Sequence, residues 1–184
     1  MERKYNIGID IDQVCRKYGI ENYTIRPDGK VDVDGYTVNL YNEGLTKLPL
    51  HFGNINGKFW CDHNELTTLE GAPEYVSREF ECHYNKLTSL EGVPKYIGGD
   101  FICYKNNILD IKALENCIIK EEFDIEDNPI FSIIADIYDF EHFFLINPLQ
   151  GNKLSRLLYD EVREDLGLPE FYYSTLHKDI ELVD

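Results

Sequence analysis

Cys61, Cys82 and Cys103 stand 21 residues apart, and an aligned row of thiols invites a tetrahedral zinc site with His83 as the fourth ligand. Strand geometry argues against it. Neighbours along a strand project to opposite faces, so His83 points away from Cys82. The thiols then face a hydrophobic interior, where free cysteines pack as small apolar groups. Glu122, Asp124, Glu126 and Asp127 could hold Mg²⁺ or Ca²⁺, but their spacing matches no calcium loop. No phosphate loop, dinucleotide fingerprint, His-Glu-x-x-His pair or nucleophile elbow occurs. The residues therefore point to no metal, no cofactor and no enzyme. Beyond residue 103 only Cys117 remains, in the apolar run Cys117-Ile118-Ile119, a poor setting for a nucleophile. Five cysteines are an odd count, which fits free thiols in a reducing compartment.

A repeat positions these side chains. Phe59-x-Cys61-x-x-Asn64-x-Leu66-x-x-Leu69 recurs as Phe80, Cys82, Asn85, Leu87, Leu90 and as Phe101, Cys103, Asn106, Ile108, Ile111. A 21-residue period with this pattern is the signature of a leucine-rich-repeat solenoid. One period earlier, Val38, Leu40, Leu45 and Leu48 fill the same slots, with Glu43 where Asn belongs. One period later, Phe123, Ile125, Asn128 and Ile130 repeat the frame with one inserted residue. Five rungs are thus expected over residues 36–131, with imperfect outer copies. Gly71-Ala72-Pro73 and Gly92-Val93-Pro94 turn the chain, which must return extended because 21 residues leave no room for a long helix. The asparagines are expected to face inward and bond backbone.

Caps flank the repeats. Residues 1–35 read as a helix (10–18, stopped by Gly19) followed by a β-hairpin with strands 23–25 and 31–33. Residues 132–184 read as a helical cap and tail. Helices are expected at 130–138 and 153–166, the second with Leu154, Leu157, Leu158, Val162 and Leu166 on one stripe, and with a break near Asn147-Pro148. Phe171-Tyr172-Tyr173 suggests that the tail packs. The fold expected is an α+β solenoid with a short parallel sheet of about five rungs, few helices in the repeats and a helical C-terminal cap.

With 43% hydrophobic residues, 13 Tyr and 10 Phe, the 184-residue chain can bury a core. No apolar run reaches membrane-spanning length, and the first residues lack a signal-peptide core, so a cytoplasmic location is expected. The formal charge is −16. Residues 115–184 hold 17 acidic against 5 basic residues, and residues 1–114 hold 17 against 13. Such acidity disfavours direct nucleic-acid binding and favours a partner with a basic surface.

With Phe59 and Cys61 inward, the outward positions fall into three columns. They are Thr37, Lys58, Glu79, Asp100, Glu122; Asn39, Trp60, Glu81, Ile102, Asp124; and Tyr41, Asp62, His83, Tyr104, Glu126. Seven of these fifteen are acidic, and the row Glu79–Asp100–Glu122 sets like charges side by side, from which folding should gain nothing. Trp60 is expected exposed, with Tyr41 and Tyr104 near it. Trp and Tyr commonly anchor interfaces, so this concave face reads as a protein-docking surface centred on Trp60, Glu81, Asp100 and Tyr104.

The runs Leu45-Thr46-Lys47-Leu48-Pro49 and Asn85-Lys86-Leu87-Thr88-Ser89-Leu90-Glu91-Gly92-Val93-Pro94, the lead-in from Tyr23 to Gly35 and the Asn128-Pro129-Ile130 junction resemble the short leucine-rich-repeat proteins of tailed bacteriophages and bacteria. The resemblance spans about residues 20–167. It implies a non-catalytic phage protein that binds and disables, or redirects, a bacterial host protein, a defence component among the candidates. Three alternatives remain: an acidic mimic of nucleic acid acting through residues 115–184, a virion component, and a catalytic appendage relying on Cys117.

Overall fold

The computed structural model describes residues 10–134, 149–150, 153–166, 168 and 178–184. Helix α1 (Ile11–Lys17) starts where the Asp10 side chain accepts the Gln13 N–H at 3.0 Å, an N-cap that satisfies a donor with no partner inside the helix. Gly19, at φ +61°, follows its end. Strands β1 (Tyr23–Ile25) and β2 (Val31–Val33) pair antiparallel, Tyr23 opposite Val33. The expected helix and hairpin are therefore present. The hairpin is also continuous with the repeats, because β2 pairs in parallel with β4 (Phe52–Ile55).

From there the chain alternates between two sheets. β3 (Thr37–Asn39), β5 (Lys58–Trp60), β7 (Phe80–Glu81), β9 (Phe101–Ile102) and β11 (Phe123–Asp124) form a five-stranded parallel sheet. β4, β6 (Tyr75–Val76), β8 (Tyr96–Ile97) and β10 (Ile118–Ile119) extend the hairpin into a six-stranded one. Phe59 sits opposite Phe80 and Phe80 opposite Phe101, so register repeats with the sequence period. The result is a parallel-strand solenoid of about four turns, bounded by five stacked strands. The return limb, expected only as extended chain, builds a sheet of its own.

The core lies between the sheets. Phe59, Phe80 and Phe101 are fully buried, with ring centroids 5.7 and 5.5 Å apart from rung to rung. Cys61, Cys82 and Cys103 are buried beside them, and Ile55, Val76 and Ile97 close the other side. Each inward Asn ties two turns together. Asn64 Nδ2 donates to Leu40 O at 2.8 Å while its Oδ1 accepts the Glu43 and Leu45 N–H groups; Asn106 and Asn128 repeat the pattern. The residue before each ladder position is left-handed: Asn42, His63, Tyr84, Lys105 and Asp127 have φ between +50° and +54°. This sharp corner bends the strand out of its sheet.

At the far end, α2 (Phe131–Ile134) follows Asn128-Pro129 as expected, and its Ile133 and Ile134 are buried. The rest of the 130–138 helix, the break at 147–148 and Phe171-Tyr172-Tyr173 lie outside the described residues. The helix expected from 153 starts later. β12 (Leu149–Gln150), β13 (Lys153–Ser155) and β14 (Glu181–Val183) form a three-stranded sheet, and α3 (Arg156–Asp165) follows β13. β13 is a strand because β12, just before it, pairs with it antiparallel and β14, far along the chain, pairs with it in parallel; a local apolar stripe cannot reveal the second pairing. The C-terminal region is thus mixed rather than helical alone. Tyr159, fully buried, donates its hydroxyl to Ile133 O and so ties α3 to α2. No helix among the described residues is long and apolar enough to cross a membrane.

Candidate binding face and its histidine corner

The expected alternation holds: Phe and Cys are inside, and the fifteen outward positions share the opposite side of the five-stranded sheet. Tyr41, Glu122 and Glu126 are exposed, whereas Lys58, Glu79, Glu81, Asp100, Ile102, Tyr104 and Asp124 are half-buried. Three expectations need correction. Trp60 is half-buried instead of exposed, and its indole N–H is enclosed without a hydrogen-bond partner. The Lys58 ammonium lies 5.5 Å from its ring, so neighbours on the sheet cover it. Asp62 and His83 are buried, at 5% and 8% exposure, because side chains from adjacent rungs close over them. The carboxylate row also serves the fold: Lys58 pairs with Glu79 at 3.0 Å, and Asp100 Oδ1 accepts the Glu122 N–H at 3.0 Å. Asp124 Oδ1 likewise accepts the Glu126 N–H.

The sheet draws Asp62, His63 and His83 into one corner. The register carries past the strand ends, where His63 N donates to His83 O at 3.1 Å. Asp62 and His83 are therefore rung neighbours in one column. The left-handed backbone at His63 brings its ring to the same place. Asp62 Oδ2 lies 2.8 Å from His63 Nδ1 and 3.5 Å from His83 Nε2. On the other edge of that ring, His83 Nδ1 is 3.7 Å from Glu81 Oε2 and has no hydrogen-bond partner. Tyrosines frame the corner. His63 stacks on Tyr84 at 4.4 Å, His83 stacks on Tyr104 at 4.6 Å, and Tyr41 meets His63 edge-on at 5.1 Å.

Burial governs the electrostatics. It pushes His83 below the usual imidazole range despite the pull of Asp62, so the ring is neutral at pH 7. It raises Glu81, helped by the charges of Asp62 and Glu79. The column thiols Cys61, Cys82 and Cys103 are raised well above ordinary cysteine by burial, and Cys117 is pushed up to about 11 by the same cause. None of these four thiols is poised as a nucleophile.

Sequence reasoning expected no metal site and placed His83 in the outward column of the docking face, pointing away from the cysteines. It passed over His63 altogether. The available signal was the spacing: His83 follows Asp62 by one 21-residue period, and His63 is adjacent. Also missed was an outward column on the six-stranded sheet, where Tyr75 and Tyr96 stack at 4.8 Å and 7° and Ile118, beside Tyr96, is 53% exposed. Comparison of the chain with protein-family models, curated proteins and solved structures found no match.

Proposed function

We propose that the protein is a non-catalytic binding module that docks a basic protein surface through the outward face of its five-stranded sheet. One observation carries this reading. Glu81, Asp100, Glu122, Asp124 and Glu126 crowd one rigid face, edged by Tyr41 and Tyr104. Carboxylates held this close repel one another, and a cationic partner relieves that repulsion. Repeat solenoids use such extended faces to grip macromolecules. The finer reading follows from the sequence resemblance: a leucine-rich-repeat protein of phage origin that inhibits a host protein, a defence component among the candidates, in the bacterial cytoplasm.

The test is capture from bacterial lysate with wild type, with Tyr41→Ala/Glu122→Lys/Glu126→Lys, and with Tyr75→Ala on the opposite sheet. The first variant should lose a partner that the other two retain. Identical capture by all three overturns the face assignment.

A second reading has its own support. Helix α3 exposes Asp160, Glu161, Glu164 and Asp165, a cluster of carboxylates suited to mimicry of nucleic-acid phosphates in a basic groove. Inhibition of a DNA-binding enzyme that competes with DNA, fades with salt and is lost in Glu161→Lys/Glu164→Lys would favour it over docking by the sheet.

A further inference from the structure

The geometry points to a metal site at the histidine corner: Asp62 Oδ2, His63 Nδ1 and His83 Nε2 bind one zinc-type divalent cation. This is independent of the docking reading and stands or falls separately. One ligand atom from each residue lies within 4.8 Å of the other two. Tetrahedral zinc with bonds of about 2.0–2.1 Å sets its ligand atoms roughly 3.3 Å apart. The distances from Asp62 Oδ2, 2.8 Å to His63 Nδ1 and 3.5 Å to His83 Nε2, bracket that spacing. Small movements of two rings would complete the site.

Three further observations support it. His83 is more than nine-tenths buried, yet its Nδ1 has no hydrogen-bond partner. With Nε2 on a metal, Nδ1 carries the proton and faces Glu81 Oε2 at 3.7 Å. That carboxylate–histidine–metal order is the usual outer support of a zinc ligand. Tyr84 and Tyr104 stack on the two imidazoles and fix their planes, so little side-chain freedom remains to be lost on binding. The donor set, two imidazoles and one carboxylate, suits zinc, cobalt or nickel and disfavours magnesium, which prefers an all-oxygen shell. Three protein ligands leave one tetrahedral position for water or for a donor from a bound molecule.

The test titrates the metal-free full chain with Zn²⁺ by calorimetry, and with Co²⁺ by visible absorption. Cys117→Ser serves as the background, because Cys117 is the one thiol among the described residues that is not buried. Expected are one equivalent bound, the intense visible band of tetrahedral cobalt, a higher melting temperature with zinc and no response to Mg²⁺. His63→Gly should weaken zinc at least about tenfold without loss of fold, since glycine accepts the left-handed backbone there. His83→Gln should do the same, with circular dichroism checking its fold. The proposal is overturned if wild type shows neither one-equivalent heat nor a cobalt band. It is equally overturned if folded His63→Gly binds zinc as tightly as wild type.

Discussion

The side-chain amide of Asn85 donates to the carbonyl of Cys61, 24 residues earlier, at 3.0 Å, and to that of Cys82 on its own turn at the same distance. Its Oδ1 accepts the buried Leu66 N–H at 2.9 Å. One side chain thus fastens two turns where the strands leave their sheet. Asn85→Ala would strand the Leu66 N–H away from water, at about 1–3 kcal/mol for a buried unpaired group, and would remove one of two donors from each carbonyl, since Cys61 O keeps Asn64 Nδ2 and Cys82 O keeps Asn106 Nδ2. A loss of about 3 kcal/mol is expected in urea unfolding, with outward-face binding unchanged in the folded fraction. A wild-type midpoint would contradict the ladder's role.

Gly92 has φ +90°, and a Cβ there would stand 2.8 Å from Leu69 O. Gly44 is also left-handed but open, with nothing within 4 Å. Gly92→Ala should therefore cost about 2 kcal/mol or more, combining backbone strain with a clash against backbone. Gly44→Ala should cost only the strain, about 1 kcal/mol. Thermal melts of the pair separate the two effects, and equal losses would refute the close approach.

Glu81 is half-buried, and burial together with Asp62 and Glu79 raises its pKa. A carboxyl whose folded pKa lies above its unfolded value gains stability on protonation, so the charged form opposes folding at neutral pH. Glu81→Gln should raise the melting temperature of metal-free protein by a few degrees at pH 7. The gain should shrink as pH falls through the carboxylate range. A drop in melting temperature would show that the charge is compensated.

Arg26 works in the opposite sense. It forks onto Asp32 at 2.7 and 2.8 Å and reaches Glu74 at 2.9 Å. The guanidinium holds Asp32 below its ordinary 3.8, and Lys30 with Arg26 lowers Glu74 from 4.5. Depressed folded pKa values supply stability that is present above the unfolded values and lost as pH falls through the folded ones. Stability should therefore fall more steeply below about pH 4 in wild type than in Asp32→Asn. Parallel acid curves for the two would count against the pairing.

The five-rung face was legible because Phe and Cys recur with Asn at one period, which fixes both the inside and the register. The second sheet was not: Tyr75–Val76, Tyr96–Ile97 and Ile118–Ile119 are two-residue strands, too short for alternation to show. β13 escaped because Leu154 fits a helical stripe equally well, its near partner β12 is only two residues long, and its other partner β14 is remote in sequence. Trp60 was misjudged because neighbours in the same sheet cover it, and facing outward does not guarantee contact with water. The histidine corner needed two facts together, the one-period offset of Asp62 from His83 and the left-handed turn at His63. The second belongs to the backbone and has no glycine to announce it.

The in-register stacking from β5 to β9 also makes 21 residues a unit of growth. Copying residues 80–100 in tandem would add one strand to each sheet and lengthen the coil by about 4.8 Å, leaving both ends with the neighbours they have now. Such a duplication should fold, with a radius of gyration by small-angle scattering larger by about one rung. An aggregated product would mean that the ends sense the coil's length. A gene for this chain could thus change the reach of its product in whole steps, one duplication at a time.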